Sequence, residues 1–209
     1  IESTTKSVSS GLVSLWILDI SSIIILSIAN LPAVSIMTVS KLFFLACKIA
    51  SFEIITGDGG IDFSQDFNNQ ELLASRLILT QVFYALSMQK KNGTFILKIF
   101  DIFNKTSVDI VYLLSYYYKT VYIVKPNSSR YANSEKYIVC RYFKNTLNIN
   151  IKMKFFGILK LLNNIKFENY NITSILNLDQ NLYFLNIIQE INHILGQRQM
   201  ENILYTIKL

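Results

Sequence analysis

Three ionisable side chains stand where a strand-like run meets a loop. Asp58 follows the β-rich run Phe52–Thr56 and opens the glycine turn Asp58-Gly59-Gly60. Lys98 lies near the end of the apolar run TFILKIF, Thr94–Phe100. Glu135 stands just before KYIVCRYF, Lys136–Phe143. Ionisable side chains gathered at such places are candidates for a functional cluster, because sites form beyond strand ends and perturbed charges concentrate in them. Each residue also has an ordinary reading. Asp58 suits a turn, Glu135 suits a solvated loop, and buried charges are often structural. Lys98 is the hardest to explain that way, because a lysine within apolar sequence is costly unless it is paired.

These residues need elements to position them. Gln70–Gln89 carries apolar residues at helical spacing over roughly five turns. Lys90-Lys91-Asn92-Gly93 then reads as a helix C-terminus, with cations followed by glycine. Thr94–Phe100 reads as a strand, and Thr106 or Ser107 can cap a helix running to about Tyr118. Thr120–Lys125 and Lys136–Phe143 read as strands, with a loop over Pro126–Ser134. The alternation implies parallel crossovers in an α/β sandwich. The last two strands are joined by about ten residues, too few for a usual parallel crossover, so an antiparallel strand is expected there. Its start then lies on the edge where the parallel strands end. Functional side chains cluster beyond that edge, so the topology brings Asp58, Lys98 and Glu135 together.

The 209 residues are 51% hydrophobic and 16% charged, enough for one domain with a real core. The net charge of +6 attracts polyanions, nucleic acid first and acidic membrane surfaces second. Lys- and Asn-rich composition with little proline also follows from AT-rich coding, so charge alone does not choose a partner. Cys47 and Cys140 form no bridge framework and no metal spacing, and read as buried hydrophobes in a reducing compartment. With His193 the only histidine, a His-based metal site and a Ser-His-Asp triad are both disfavoured. Gly11–Ala29 is apolar but holds Asp19 near its centre, which costs about 2.5–3.5 kcal/mol on insertion scales. A buried segment is favoured over a membrane span. Ser40–Ala50 suits a buried helix, and Leu178–Leu209 suits one or two amphipathic helices broken near Gly196.

The segments ITGDGGIDFSQDFNNQE and GTFILKIF through KPNSSRYANSEKYIVCRYFK resemble the C-terminal half of FtsJ-like cap-specific mRNA 2′-O-methyltransferases, including those of large DNA viruses. The resemblance runs from about Phe52 to Lys144. Its specific pieces are Asp58–Gly60, Leu97–Phe100 and Lys125–Val139. They fall in order, with Asp58, Lys98 and Glu135 separated by 40 residues (58 to 98) and 37 (98 to 135). The resemblance implies a Rossmann-like class I methyltransferase sheet, parallel with one antiparallel strand at the end and incomplete at the N-terminus. It divides the chain into an apolar segment 1–51, a methyltransferase core 52–144 and a mostly helical extension 145–209.

The family uses a Lys-Asp-Lys-Glu tetrad, in which Asp58, Lys98 and Glu135 match the last three members. Lys98 would accept or orient the proton of a ribose 2′-hydroxyl as it attacks the methyl of S-adenosylmethionine. Asp58 and Gly59 would lie beside that donor. Lys125, Ser128, Ser129, Arg130 and Asn133 would line the RNA. Capped mRNA is the implied partner, no metal is implied, and the setting is nuclear or cytoplasmic, viral origin included. Tyr131 stands where the family often has proline.

The family also carries a D-x-C-x-x-P-G-G-F donor loop and a first tetrad lysine upstream of the aspartate. Residues 1–51 hold no Pro-Gly-Gly, and Lys6, Lys41 and Lys48 lie outside the expected context. A lysine base must bring its pKa from about 10.4 toward about 7–8, and flanking carboxylates oppose this unless other positive charges offset them. The chain is therefore expected to be a partial domain that does not methylate RNA alone and that needs a partner chain or a missing N-terminal half. The alternative is a catalytically inactive domain of this fold, used for RNA binding or subunit contact.

Overall fold

Burial alternates with period two along TFILKI: Phe95, Leu97 and Ile99 are buried, while Thr94, Ile96 and Lys98 are half-buried on the other face. A five-stranded sheet is built around this strand. The computed structural model describes residues 23–26, 51–60, 69–130, 132–164, 172–176 and 179–208. The strands are β1 (Ile23–Leu26), β2 (Phe52–Gly57), β3 (Gln89–Ile99), β4 (Tyr118–Val124) and β5 (Lys136–Phe143), in the spatial order β1-β2-β3-β5-β4. β1, β2 and β3 run parallel, and β5 runs antiparallel to both its neighbours. The antiparallel strand is thus the last in the chain, as the short connection requires. In space it is inserted between β3 and β4, which leaves β4 at the edge.

The helices are α1 (Gln70–Met88), α2 (Lys105–Tyr117), α3 (Ile149–Asn164) and α4 (Leu182–Lys208). Ile55, Phe95, Leu97, Ile138 and Cys140 are fully buried and share one sheet face by register. Val82, Phe83, Ala85 and Leu86 of α1 and Ile110 and Leu114 of α2 belong to the same core. Phe83 stacks on Phe155 of α3 at 4.3 Å between ring centroids. Each such large apolar side chain contributes about 1.5–3 kcal/mol by leaving water.

Two local expectations are corrected. Lys90–Gly93 is not a helix cap. α1 ends at Met88 and Gln89 is already extended, with φ −72° and ψ 131°. Phe52 pairs with Gln89 and Ile54 with Thr94, so two residues of β2 span five of β3 and the extra ones bulge. Asn92 takes φ 65° there, an angle that Asn tolerates better than most residues. Gly93 must be glycine, because a Cβ would lie 2.7 Å from the Glu53 carbonyl oxygen and 2.1 Å from Gln89 Nε2. Gln89 closes the bulge by donating from Nε2 to the carbonyls of Phe52 at 2.9 Å and Glu53 at 3.1 Å.

The second correction concerns Gly196. α4 passes through it unbroken, with nothing near the position a Cβ would take. The helix is held from one side. Ile188 is buried, Asn192 Nδ2 donates to the Ile102 carbonyl at 2.7 Å, and Gln199 Nε2 donates to the Ala132 carbonyl at 3.2 Å. These residues share a helical face, and that anchoring outweighs the roughly 1 kcal/mol a mid-helix glycine costs.

The segment leading into α4 is tied to α2 by Asp109, which is fully buried. Its carboxylate accepts from Ser174 Oγ at 2.8 Å, from the amides of Ile175 at 2.8 Å and Leu176 at 3.1 Å, from Lys105 at 3.1 Å, and from Gln180 Nε2. Burial pushes this carboxyl's pKa up, but the amides, the hydroxyl and the ammonium together outweigh burial and hold it below the ordinary value.

Of the apolar run 11–29, Ile23–Leu26 pairs with β2 as a parallel strand, and the remainder lies outside the described residues. So do Cys47 and the helix expected over Ser40–Ala50. No described helix is long and apolar enough to cross a membrane.

Candidate active site

The site forms where β2 and β3 end and β5 begins. The register Lys98↔Tyr137 and Ile99↔Lys136 sets the start of β5 beside the end of β3. The turn after β2 lies directly on α1. A Cβ on Gly59 would meet Gln81 Nε2 at 2.0 Å and Leu77 at 2.9 Å, so no side chain fits there. Gln81 itself is buried, and its Nε2 has no hydrogen-bond partner among the described residues. With the turn pressed down, the Asp58 side chain stays 53% exposed.

Lys98 leaves β3 on the half-open face and forms an ion pair with Asp58. Its side chain is 16% exposed, so the stem is covered and the ammonium reaches the edge. Directly across on β5 is Tyr137. The Tyr137 hydroxyl and Ser129 Oγ each donate to Glu135 Oε1 at 3.2 Å. Burial, then the charges of Glu135 and Asp58, push the Tyr137 hydroxyl up to about 12. Tyr137 is therefore a neutral donor at neutral pH, and both carboxylates act on the one ring. The structure thus brings Asp58, Lys98 and Glu135 to one edge, with Lys98 bound to Asp58 and Glu135 held by Ser129 and Tyr137.

The loop 126–134 is fastened from beneath. Lys125, just past β4, donates to the Asn133 carbonyl at 2.9 Å, to the Glu135 carbonyl at 2.6 Å and to Asn133 Oδ1. An ammonium has three donors, and all three are engaged inside the loop. Burial is the main cause that lowers the Lys125 pKa. Ser129 N donates to the Pro126 carbonyl at 3.0 Å and Asn133 N to the Arg130 carbonyl at 3.2 Å. Ser128 and Arg130 stand exposed on the outside of the loop, and Asn133 is half-buried. Tyr131 lies outside the described residues.

Buried Lys136 pairs with Asp101 at 2.7 Å and donates to the Ser134 carbonyl at 2.9 Å. Glu71, in the first turn of α1, accepts from the amides of Phe103 at 3.0 Å and Asn104 at 2.8 Å, which fixes the chain after β3. Sequence reasoning missed Tyr137, Gln81 and Lys136. Tyr137 becomes legible only when the β3–β5 register sets it opposite Lys98. Among the described residues no cluster of His, Cys, Asp or Glu could hold a metal.

A mostly parallel sheet with polar side chains gathered beyond its carboxyl edge is the layout of Rossmann-like, donor-binding enzymes. The chain belongs to the FtsJ-like methyltransferase family, whose model matches residues 13–143. That match begins upstream of Phe52 and ends with β5, so α3 and α4 lie outside it. The chain is 34% identical over 154 residues to the cap-specific mRNA (nucleoside-2′-O-)-methyltransferase 1 of Drosophila melanogaster, covering 68% of this chain and 19% of that protein. It is 43% identical over 90 residues to the Homo sapiens protein of the same description, covering 43% of this chain and 11% of that one. The chain thus spans a fifth or less of either relative. A solved structure of a ribosomal RNA methyltransferase, putative, from Plasmodium falciparum aligns over 52% of this chain and 56% of its own at 19% identity, with a TM-score of 0.38.

Proposed function

We propose that this edge, completed by a donor loop and a further lysine supplied by a partner chain or another segment, transfers a methyl group from S-adenosylmethionine to a ribose 2′-hydroxyl of capped mRNA, with residues 52–144 as the core and 145–209 as an extension that supports it. The observation that carries the reading is the Lys98–Asp58 pair at the carboxyl edge, with Glu135 fastened beside it. Asp58 gives the Lys98 nitrogen a defined position, and Lys98 takes the hydroxyl proton as the neutral amine, once its ammonium has given up a proton to solvent. Glu135, held by Ser129 and Tyr137, is placed to orient the ribose or the lysine without drifting into the ion pair. Half-exposed Asp58 and the Gly59 backbone fit the donor, because they border the crevice beyond parallel strands where such sheets take ligands. When bound, the donor supplies an electrophilic methyl on a sulfonium.

The loop 126–134 supplies Ser128, Ser129, Arg130 and Asn133 to the RNA, and Lys125 acts mainly by bracing that loop. Free, buried Cys140, whose thiol burial pushes up, suits the reducing nuclear or cytoplasmic setting that goes with this activity.

The reading is tested with the intact protein, labelled donor and two capped RNAs that differ only in a 2′-deoxy sugar at the target nucleotide. Transfer to the ribose form and none to the deoxy form supports it. Equal transfer to both would place the methyl elsewhere and end the ribose assignment. Donor and RNA binding without transfer to either would mark an inactive domain of this fold.

A further inference from the structure

α4 lies outside the residues that match the family model, yet it closes one side of the proposed RNA loop. Leu195, Arg198 and Gln199 of α4 face Lys125, Asn127, Asn133 and Lys136 across a cleft of about 100 Å³. The lining holds three cations and no carboxylate. The three differ in what they have left to give. Lys125 has its donors on Asn133 and Glu135. Lys136 is held by Asp101 and the Ser134 carbonyl. The Arg198 guanidinium is exposed and makes no hydrogen bond or ion pair among the described residues.

Two cations fixed in the wall plus one free planar fork suit a phosphate group. Lys136 is balanced by Asp101, so the positive field comes chiefly from Arg198, with Lys125 held by neutral oxygens beside it, and the fork can meet two oxygens at once. The cleft also adjoins the catalytic edge. Lys136 neighbours Tyr137, the residue opposite Lys98, and the intervening loop carries Ser129 and Asn133. A strand with its ribose at Lys98 would therefore lead its backbone along the loop toward Arg198.

We infer that the cleft between the loop 126–134 and α4 is a phosphate subsite for the RNA strand being methylated, with Arg198 as its free cation. The C-terminal helix is then part of the RNA surface rather than a passive cover. This rests on reading the chain as an RNA methyltransferase, and the test keeps the two apart.

Binding of a short, labelled, capped RNA is followed over a range of salt concentrations for the intact parent protein, Arg198→Ala, Arg198→Lys and Gln197→Ala, with methyl transfer at saturating RNA measured alongside. Arg198 is exposed and its guanidinium has no partner among the described residues, so its removal should leave the fold intact. Arg198→Ala should weaken binding about fivefold near 0.1 M salt and lower the log–log salt slope by about 0.7, the amount for one phosphate contact to a single strand. Arg198→Lys should keep the slope, Gln197→Ala should match the parent, and turnover at saturating RNA should stay unchanged in all three. Parent-like affinity and slope for Arg198→Ala would overturn the subsite while leaving the catalytic reading in place. A parent protein that does not bind the RNA would overturn both.

Discussion

Asp109 and Asp58 each sit beside a lysine, and they differ in nearly everything else. Asp109 has no exposure and takes five donors, all from this chain. Asp58 is half exposed, and its ion-pair partner is Lys98. The first carboxylate has nothing left for a ligand, so it works as an anchor that fastens Ser174, Ile175, Leu176 and Gln180, ahead of α4, to α2. The second lies at the edge of a sheet, and among the described residues its ion pair with Lys98 leaves acceptor capacity over. Lys125 and Lys98 repeat the contrast among the cations. The difference teaches that charge and burial alone do not mark a site. What marks it is an incompletely satisfied charge held in place by a satisfied frame.

The largest way to break that comparison is through the anchor. Asp109→Ala should destabilise the protein by about 3 kcal/mol or more, because it leaves two amides and a lysine without their acceptor. At low temperature, methyl transfer by the folded fraction should stay near the parent's. Denaturant unfolding and an assay on the same sample check this. A loss of activity with unchanged stability would reverse the assignment. The pH dependence has a definite sign. The Asp109 pKa is depressed in the folded state, so its contribution is present above the ordinary carboxylate range and is lost as pH falls through the depressed value. Asp109→Asn should flatten the loss of stability on acidification.

Tyr137→Phe removes one of the two donors on Glu135 and leaves the ring packed. Its transfer rate should fall by roughly tenfold, the size of one hydrogen bond in the site, with little change in melting temperature. An unchanged rate would show that Ser129 alone holds Glu135. Arg130→Ala should weaken RNA binding a few-fold and make it less salt-sensitive without altering the fold, since the side chain is exposed. Unchanged affinity would remove the outer face of the loop from the RNA surface. The smallest effect is Gly196→Ala, which should stabilise α4 by about 0.5–1 kcal/mol because the added methyl meets open space.

Much of this architecture can be read locally. The period-two run within Thr94–Phe100 and the helical spacing over Gln70–Gln89 are strong signals, and both elements exist there, although the strand begins earlier, at Gln89. The chain-end antiparallel strand followed from a connection too short to cross over. Its insertion between β3 and β4 did not, because connection length fixes direction and not neighbours. Lys90–Gly93 carries the same residues as a helix cap, and what makes it a bulge is the Glu53 carbonyl on another strand. Gly196 looks like a break until Ile188, Asn192 and Gln199 are seen to hold one face of α4.

The candidate site divides the same way. Strand ends pointed to Asp58, Lys98 and Glu135. The hold on Glu135 needed the β3–β5 register, and Arg198 lies 63 residues beyond Glu135 (135 to 198), where no local pattern links them.

On the proposed reading, Lys98 at this edge does the chemistry. The direct measurement is methyl transfer to capped RNA by the intact protein and by its Lys98→Ala variant, with donor binding followed by calorimetry and RNA binding by anisotropy. The variant should lose about 10²–10⁴-fold in rate, the usual contribution of a positioned acid–base group. It should keep its affinity for donor and RNA, and it should lose no more than about 1 kcal/mol of stability, because the paired Asp58 is half exposed. A variant that transfers methyl at the parent rate would contradict the account and put the reacting group elsewhere.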